Sequence, residues 1–197
     1  LAEHASVAQT AFMVRHTTGI LCVAITAVQA QRLRLPYMVE QNQDVRKTAF
    51  TVSVDLALGV TTGVSAQERT ATIRALASDV TAHTDFIRPG HVYPLIAHSD
   101  GLAGRQGHTE AGVALAELTG SYPAALLSEI VAADGSMARG QELIDFAEEH
   151  QIPIVSIADI REYEIKLGHV SAAAQLVNHE FEWVQVPLRS AEWDIAT

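Results

Sequence analysis

Residues 104–131 read GRQGHTEAGVALAELTGSYPAALLSEIV, and this stretch decides the fold class. The alanine-rich residues 110–118 predict a helix, Thr109 stands immediately before them, and Gly120 lies where a helix commonly ends. The apolar residues 125–131 then predict a buried strand. A helix that leads directly into a strand indicates a chain that mixes α and β structure.

The same alternation continues on both sides of this stretch. Helices are predicted at residues 3–16, 66–77 and 158–165, an amphipathic segment at residues 140–150, and strands at residues 20–25, 50–54 and 154–157. Residues 40–47 form a polar connection, and residues 85–100, rich in Pro, Gly and His, are predicted to be an ordered loop with short extended pieces. We therefore expect the α/β (α+β) class, a single domain with a mixed sheet and flanking helices.

Composition excludes several classes of protein. A chain of 197 residues and 21.2 kDa fits one domain, and its 48% hydrophobic and 18% charged residues exclude wholesale disorder. The formal net charge of −10, without a cluster of basic residues, argues against nucleic-acid binding. Apolar runs such as residues 111–118 are far shorter than the roughly 20 residues that a membrane-spanning helix needs. The one cysteine, Cys22, cannot form an intramolecular disulfide or a zinc site of several thiolates, so we expect a cytoplasmic protein.

An anion site is one interpretation of the residues before the helix at 110–118. Arg105 offers a planar cation, and the start of a helix offers unpaired backbone N–H groups to phosphate oxygens. His108 could bind a divalent metal or carry a proton. The alternative is that Thr109 simply caps the helix while Arg105 lies in solvent.

Other candidate residues lie elsewhere along the chain. The loop before the helix at 66–77 supplies hydroxyls at Thr61, Thr62 and Ser65, a second place where a phosphate could bind, although a plain turn is the alternative. His91 follows a Pro-Gly pair in an irregular segment that suits either a binding site or an ordinary turn.

Two further candidates lie within predicted strands. Glu129 lies within the predicted strand at 125–131. A carboxylate there is either buried, and then paired, bound to a metal or raised in pKa, or exposed on an edge strand. Cys22 lies in the predicted strand at 20–25, where an inert buried thiol is the common case.

Taken in order, several segments resemble one enzyme family, 3,4-dihydroxy-2-butanone 4-phosphate synthase. The resemblance covers about residues 1–165 and rests on residues 12–22, 48–55, 59–66, 88–92, 105–111 and 134–139. It implies conversion of ribulose 5-phosphate to 3,4-dihydroxy-2-butanone 4-phosphate and formate for riboflavin synthesis. It also implies a magnesium- or manganese-dependent lyase that acts as a homodimer, with active sites at the subunit interface.

The resemblance also implies a role for each candidate residue. It implies that His108 binds the metal. It implies that Arg105 and Thr109 bind the phosphate, with help from the loop of Thr61, Thr62 and Ser65. It assigns active-site chemistry to Glu129, His91 and Cys22.

The chain departs from this family at both ends. The family's acidic loop, which supplies a metal ligand and a substrate-binding aspartate, would lie just before Leu1, and it is absent. Because the chain opens on Leu rather than Met, we expect that it begins inside a longer protein. The alternatives are a catalytically impaired homologue with a structural or regulatory role, or another sugar-phosphate enzyme on the same scaffold. Residues 166–197 are expected to be a tail or linker, and residues 186–193 faintly resemble the start of a GTP cyclohydrolase II domain.

Overall fold

A computed structural model describes residues 1–169 of the chain. The helices are α1 (Val7–His16), α2 (Ala27–Arg32), α3 (Ala66–Leu76), α4 (Gly101–Gly104), α5 (His108–Leu118), α6 (Gln141–His150) and α7 (Ile157–Leu167). The strands are β1 (Cys22–Ile25), β2 (Val54–Leu56), β3 (Phe86–Ile96) and β4 (Ala124–Leu127). Within the described part, no helix is both long and apolar enough to cross a bilayer.

Three of the longer helices begin at a capping box that is visible in the sequence. Ser6, Ser65 and Ser156 each accept a hydrogen bond from the backbone N–H three residues later, and the side chain at that later position accepts one from the serine N–H. Each pair of bonds satisfies two donors that a helix start otherwise leaves unpaired. The predicted helices at residues 3–16, 66–77 and 158–165 are therefore confirmed as α1, α3 and α7, and the amphipathic segment at 140–150 is α6.

The strands form one mixed sheet in the order β2-β3-β1-β4. Cys22 in β1 lies opposite Tyr93 of the parallel strand β3 and opposite Leu127 of the antiparallel strand β4. On the other side of β3, β2 pairs antiparallel. The α/β class with a mixed sheet and flanking helices is confirmed.

Helices cover both faces of this sheet. Val23 and Ile25 pack on one face in a core that includes Ile73 and Leu76 of α3. Ala24 on the other face packs with Val113 of α5. Gly112 lets α5 come close, because a Cβ atom there would lie 2.9 Å from the Cβ of Ala125.

The prediction of a loop at residues 85–100 is wrong for most of its length, because β3 runs through it. Phe86 and Ile87 pair with β2, whereas Tyr93 to Ile96 pair with β1. Within the β2–β3 pairing the register shifts between Val54 and Asp55, because residues 88–91 of β3 intervene between the partners of these two residues. Proline and glycine in this irregular segment hide the strand from any reading of local composition.

Three predicted strands differ from the structure. The apolar run at 125–131 supplies only β4, which ends at Leu127. Residues 50–54 form isolated bridges at Phe50 and Thr51, and β2 begins only at Val54. Residues 154–157 form no strand, because within residues 1–169 the exposed Ile154 and Val155 have no neighbouring strand to pair with, and they lead directly into α7. Short apolar runs do not distinguish a strand from an extended approach to a helix.

Two short helices and the C-terminal tail remain to be compared with the prediction from sequence. Neither α2 nor α4 was predicted, because each is too short to show a helical period. The expected tail at 166–197 lies outside the described residues from 170 onward.

Candidate active site

The register of the sheet brings several predicted site residues to one end of it. His91 lies two residues before Tyr93 in β3, and Glu129 lies two residues after Leu127 of β4, while Tyr93 and Leu127 both lie opposite Cys22. Residues two apart in a strand face the same side, so Cys22 and His91 lie on the side that α5 covers. The charge of Glu129 influences the pKa of the Cys22 thiol, which places that carboxylate near Cys22 as well.

Cys22 is a buried thiol. Burial, followed by the negative charge of Glu129, raises the pKa of Cys22 from 9.0 to about 11. The thiol is therefore protonated at neutral pH, which makes it a poor nucleophile and a poor metal ligand.

Glu129 lies outside the strand in which the sequence placed it. It follows β4, and its side chain is exposed. Of the two interpretations left open, the structure supports the exposed carboxylate and not the buried one. An exposed carboxylate beside Cys22 is accessible to a ligand.

His108 is the first residue of α5. Loss of water around the imidazole lowers the pKa of His108, Arg46 and Arg105 act in the same direction, and Glu129 and Glu110 oppose them. Because the ordinary value is 6.5, the imidazole is neutral at pH 7 and has a lone pair for a metal or a proton.

The start of α5 differs from a simple threonine cap. The N-cap is Gly107, which has no side chain to satisfy the first backbone N–H groups, and Thr109 is the second residue of the helix and buried. The interpretation of Thr109 as a cap is therefore wrong. A helix start without a side-chain cap retains donors for an anion.

Arg105 does not lie free in solvent, as the simplest alternative held. Its Nη1 donates to Oε2 of Glu110 at 2.7 Å, and Nη2 donates to the carbonyl of Arg46 at 3.4 Å. Glu110 is only 1% exposed, and its Oε1 accepts the backbone N–H of His98 at 2.9 Å. A Cβ atom at position 107 would lie 2.3 Å from Nη1 of Arg105 and 2.6 Å from Oε2 of Glu110, so a larger residue there would displace this ion pair.

His91 is held by a residue that the sequence did not single out, Asp55. The Oδ2 atom of Asp55 lies 2.7 Å from Nδ1 of His91, and Oδ1 accepts the backbone N–H of His91 at 2.8 Å. Asp55 is buried, whereas the His91 side chain is half exposed. The carboxylate favours the tautomer with the proton on Nδ1, which leaves Nε2 as an acceptor. The only local signal was an acidic residue directly after a predicted strand.

The hydroxyl loop, residues 61–65, lies against the Asp55–His91 pair, but its hydroxyls are directed towards Glu68 of α3. Thr61 donates both its hydroxyl (2.7 Å) and its backbone N–H (2.5 Å) to Oε1 of Glu68, and the Ser65 hydroxyl donates to Oε2 at 2.8 Å. Thr62 makes a long contact of 3.5 Å with the same carboxylate. These bonds, those of Thr61 first, lower the pKa of Glu68 to about 2.

Gly63 connects the loop to the Asp55–His91 pair. Its φ is +75°, and a Cβ atom there would lie 2.0 Å from Oδ2 of Asp55. The loop therefore closes over this pair through glycine backbone rather than through its hydroxyls.

The described residues supply only part of a metal site. Among residues 1–169, no group of three or more His, Cys, Asp and Glu side chains is placed to hold a metal ion. Cys22 is protonated and Glu110 is paired with Arg105, so His108 and Glu129 remain as candidate ligands. Magnesium prefers about six oxygen ligands, and these two residues do not satisfy it.

The geometry defines a class of protein before any comparison. The start of α5 brings together a neutral imidazole, a nearby carboxylate and an arginine. The first backbone N–H groups of this helix are available to a ligand. A mixed α/β domain with such a site is suited to acid–base chemistry on an anionic substrate.

Comparison with known proteins identifies the family. A family model described as 3,4-dihydroxy-2-butanone 4-phosphate synthase matches residues 1–163. The chain belongs to the 3,4-dihydroxy-2-butanone 4-phosphate synthase family.

The curated relatives differ in how much of their length this chain covers. The chain is 49% identical over 162 residues to the 3,4-dihydroxy-2-butanone 4-phosphate synthase of Yersinia enterocolitica, which covers 82% of this chain and 75% of that protein. It is 45% identical over 175 residues to riboflavin biosynthesis protein RibBA of Chlamydia muridarum, which covers 87% of this chain and 41% of that protein. The chain thus spans less than half the length of this relative.

A solved structure shares the fold. A crystal structure of 3,4-dihydroxy-2-butanone 4-phosphate synthase in complex with two magnesium ions superposes with a TM-score of 0.80 at 41% identity, and the match covers 85% of this chain and 83% of that one.

Proposed function

We propose that this chain converts D-ribulose 5-phosphate to 3,4-dihydroxy-2-butanone 4-phosphate and formate in riboflavin biosynthesis, as a lyase of the cytoplasm that depends on magnesium or manganese. The observation that carries the proposal is the arrangement at the start of α5. There the exposed Glu129 is close enough to the neutral His108 for its charge to affect the pKa of the imidazole. Arg105, which Glu110 holds in place, affects the same pKa.

Phosphate binding follows from the helix start. The uncapped N–H groups at the start of α5 offer hydrogen bonds and the positive end of the helix dipole, and Arg105 adds a cation. Glu110 occupies Nη1 of Arg105 and aims the guanidinium, which leaves other N–H groups of that side chain for the phosphate. Thr109, Thr61, Thr62 and Ser65 are proposed to line this site, but the loop hydroxyls reach a phosphate only by leaving Glu68.

Proton transfer requires one group that takes a proton and one that returns it. The reaction removes a proton beside the carbonyl, sheds water and moves a carbon. It then takes up water again to release carbon four as formate, so the atoms balance and no oxidant is consumed. Asp55 holds Nδ1 of His91, so Nε2 is the ring nitrogen that remains for a substrate, and it is suited to accept a proton. Glu129 is suited to hold or return a proton on the other side of Cys22, whose protonated thiol borders the substrate.

A divalent cation would polarise the adjacent oxygens of the substrate. His108 and Glu129 are the ligands that the described residues offer, and they are too few for magnesium, so further oxygen ligands must come from outside them. This shortfall favours a second candidate, an impaired homologue with a structural or regulatory role. The two candidates differ in a single measurement, turnover by this chain.

The test is formate release from ribulose 5-phosphate in the presence of magnesium. We expect release by the chain, and its loss in His108→Ala. The matched control is His4→Ala, because His4 is exposed and lies beside Glu3, which binds the backbone N–H of Tyr122 before β4, whereas Glu129 follows the other end of that strand. Release by His108→Ala at the wild-type rate would contradict the role of His108, and no release by a correctly folded wild-type chain would support the impaired homologue.

A further inference from the structure

A cavity of about 310 Å³ lies between the start of α2, the middle of α5 and α7. Its apolar floor is formed by Ala97, Val113 and Ala114. A volume of this size is at the lower end of pockets that bind small molecules. None of the residues proposed above for chemistry lines the cavity.

The lining of this cavity is acidic. It includes Glu110, Glu117 and Glu164, and among the described residues that line the cavity only His98 can become cationic. Glu110 is already neutralised by Arg105. The negative charge that remains therefore belongs to Glu117 on α5 and Glu164 on α7.

Glu164 gives a second and independent indication of a binding site, because one of its side-chain oxygens lacks a hydrogen-bond donor within residues 1–169. The residue is only 7% exposed, and its buried Oε2 atom accepts no hydrogen bond within residues 1–169. Burial and the like charge of Glu117 raise the pKa of Glu164, while His169 and Arg161 oppose them. A buried carboxylate oxygen without a donor is unfavourable, and a turn of the Glu164 side chain towards a cationic donor in the adjacent cavity would relieve that cost.

We propose that this cavity binds a small organic cation, an alkylammonium with a short apolar body. The ammonium group lies between Glu117 and Glu164, and the alkyl body lies on the floor of Ala97, Val113 and Ala114. A bare metal ion fits less well, because the described residues offer no group of three or more ligating side chains here. An apolar floor beside an acidic wall instead matches a ligand with one charged end.

The test is a chemical-shift titration of the full chain with n-butylammonium, and n-butanol is the neutral probe of similar shape. We expect saturable binding of the ammonium at one site and no saturation by the alcohol. Glu164→Gln should weaken binding about tenfold or more, since it removes a charge-assisted hydrogen bond. Glu117→Gln, a change at an exposed position, should weaken it as well.

The matched control is Glu162→Gln on the same helix. Glu162 is exposed, pairs with Lys166 and does not line the cavity, so this variant should bind within about twofold of the wild type. Equal affinity for the alcohol, unchanged affinity in Glu164→Gln and Glu117→Gln, or no saturation by the ammonium would each overturn the proposal. The readout is binding, so its outcome is independent of whether the chain turns over ribulose 5-phosphate.

Discussion

Glu110 is a buried charge on which the arrangement of the proposed phosphate site depends. One of its oxygens holds Arg105, and the other accepts the backbone N–H of His98. A buried carboxylate is tolerated when both oxygens have donors, and it becomes costly when its cation is removed. Arg105 thus has a structural task in addition to the proposed contact with substrate.

Replacing Arg105 tests this double role. Arg105→Met should lower the free energy of unfolding by about 2 kcal/mol or more, because Glu110 stays buried without its cation while Arg105 itself is partly exposed. The double variant Arg105→Met with Glu110→Gln should recover much of this loss. Urea denaturation measures both values, and Arg15→Met, at an exposed position on α1, is the control. Equal loss in the single and double variants would contradict the coupling.

Asp55 acts on His91 rather than on substrate. Asp55→Asn should lower kcat roughly 100-fold and change KM little, because the amide no longer favours the Nδ1 tautomer of His91. Kinetics of formate release measure the split, and nitrogen NMR of the His91 ring reports the tautomer. Asp145→Asn, on the exposed side of α6, is the matched control. An unchanged tautomer together with an unchanged kcat would show that Asp55 is only a structural residue.

At the scale of elements, the loop at residues 61–65 is organised by one side chain of α3. Glu68 accepts from the loop and from the N-cap serine, and these hydrogen bonds hold its pKa near 2. The unfolded chain binds its proton near pH 4.5, whereas the folded chain binds it only near pH 2. The contribution of Glu68 to stability is therefore present above about pH 4.5 and is lost as the pH falls towards 2.

The acid dependence of unfolding checks this assignment. The unfolding temperature of the wild-type chain should fall between pH 4.5 and pH 2, and Glu68→Gln should show a smaller fall over the same interval. Thermal denaturation followed by circular dichroism measures both curves. Glu142→Gln, in the first turn of α6, serves as control because it removes an exposed carboxylate. Parallel curves for the wild type and Glu68→Gln would refute the role of Glu68.

The docking of α7 on α5 has the opposite pH dependence. Burial raises the pKa of Glu164, so the folded chain binds its proton more tightly than the unfolded chain does. Stability from this group is present below its unfolded pKa and is lost as the pH rises through the raised value. Glu164→Gln should therefore raise the unfolding temperature at pH 7 to 8, and Glu162→Gln should not. A lower unfolding temperature for Glu164→Gln at that pH would contradict the direction of the shift.

At the scale of the whole molecule, we expect the chain to act as a homodimer whose active sites lie at the subunit interface. Large apolar side chains are exposed near the site end of the sheet, among them Ile20, which is 61% exposed, and Val64 of the hydroxyl loop. Exposed apolar groups around a polar site are typical of a surface that another chain covers.

Light scattering after gel filtration tests the dimer. The wild-type chain should have twice the mass of one subunit, and Ile20→Asp should shift it towards one subunit, because a charge at the interface is costly to bury. Val80→Asp is the matched control, since Val80 is 92% exposed and follows α3 away from that end. A wild-type chain with the mass of a single subunit would contradict the homodimer.

Much of the fold was predictable wherever short-range chemistry decides structure. The capping box of Ser65 and Glu68 predicts the start of α3 from sequence, because both of its hydrogen bonds form within four residues. The loop prediction failed at β3, since its two partners, β1 and β2, are far away in sequence and pairing overrides local composition. Asp55 was missed for the same reason, because its partner His91 is 36 residues away.

The sequence by itself determined the mixed class, the family resemblance and the residue types for acid–base and anion chemistry, because these depend on composition, spacing and local hydrogen bonds. Only the tertiary structure decided that Glu110 pairs with Arg105, that Glu68 accepts hydrogen bonds from the loop hydroxyls, and that Glu129 is exposed. Which donor meets which acceptor depends on distances between segments remote in sequence, and the packing of the sheet against α3 and α5 sets those distances.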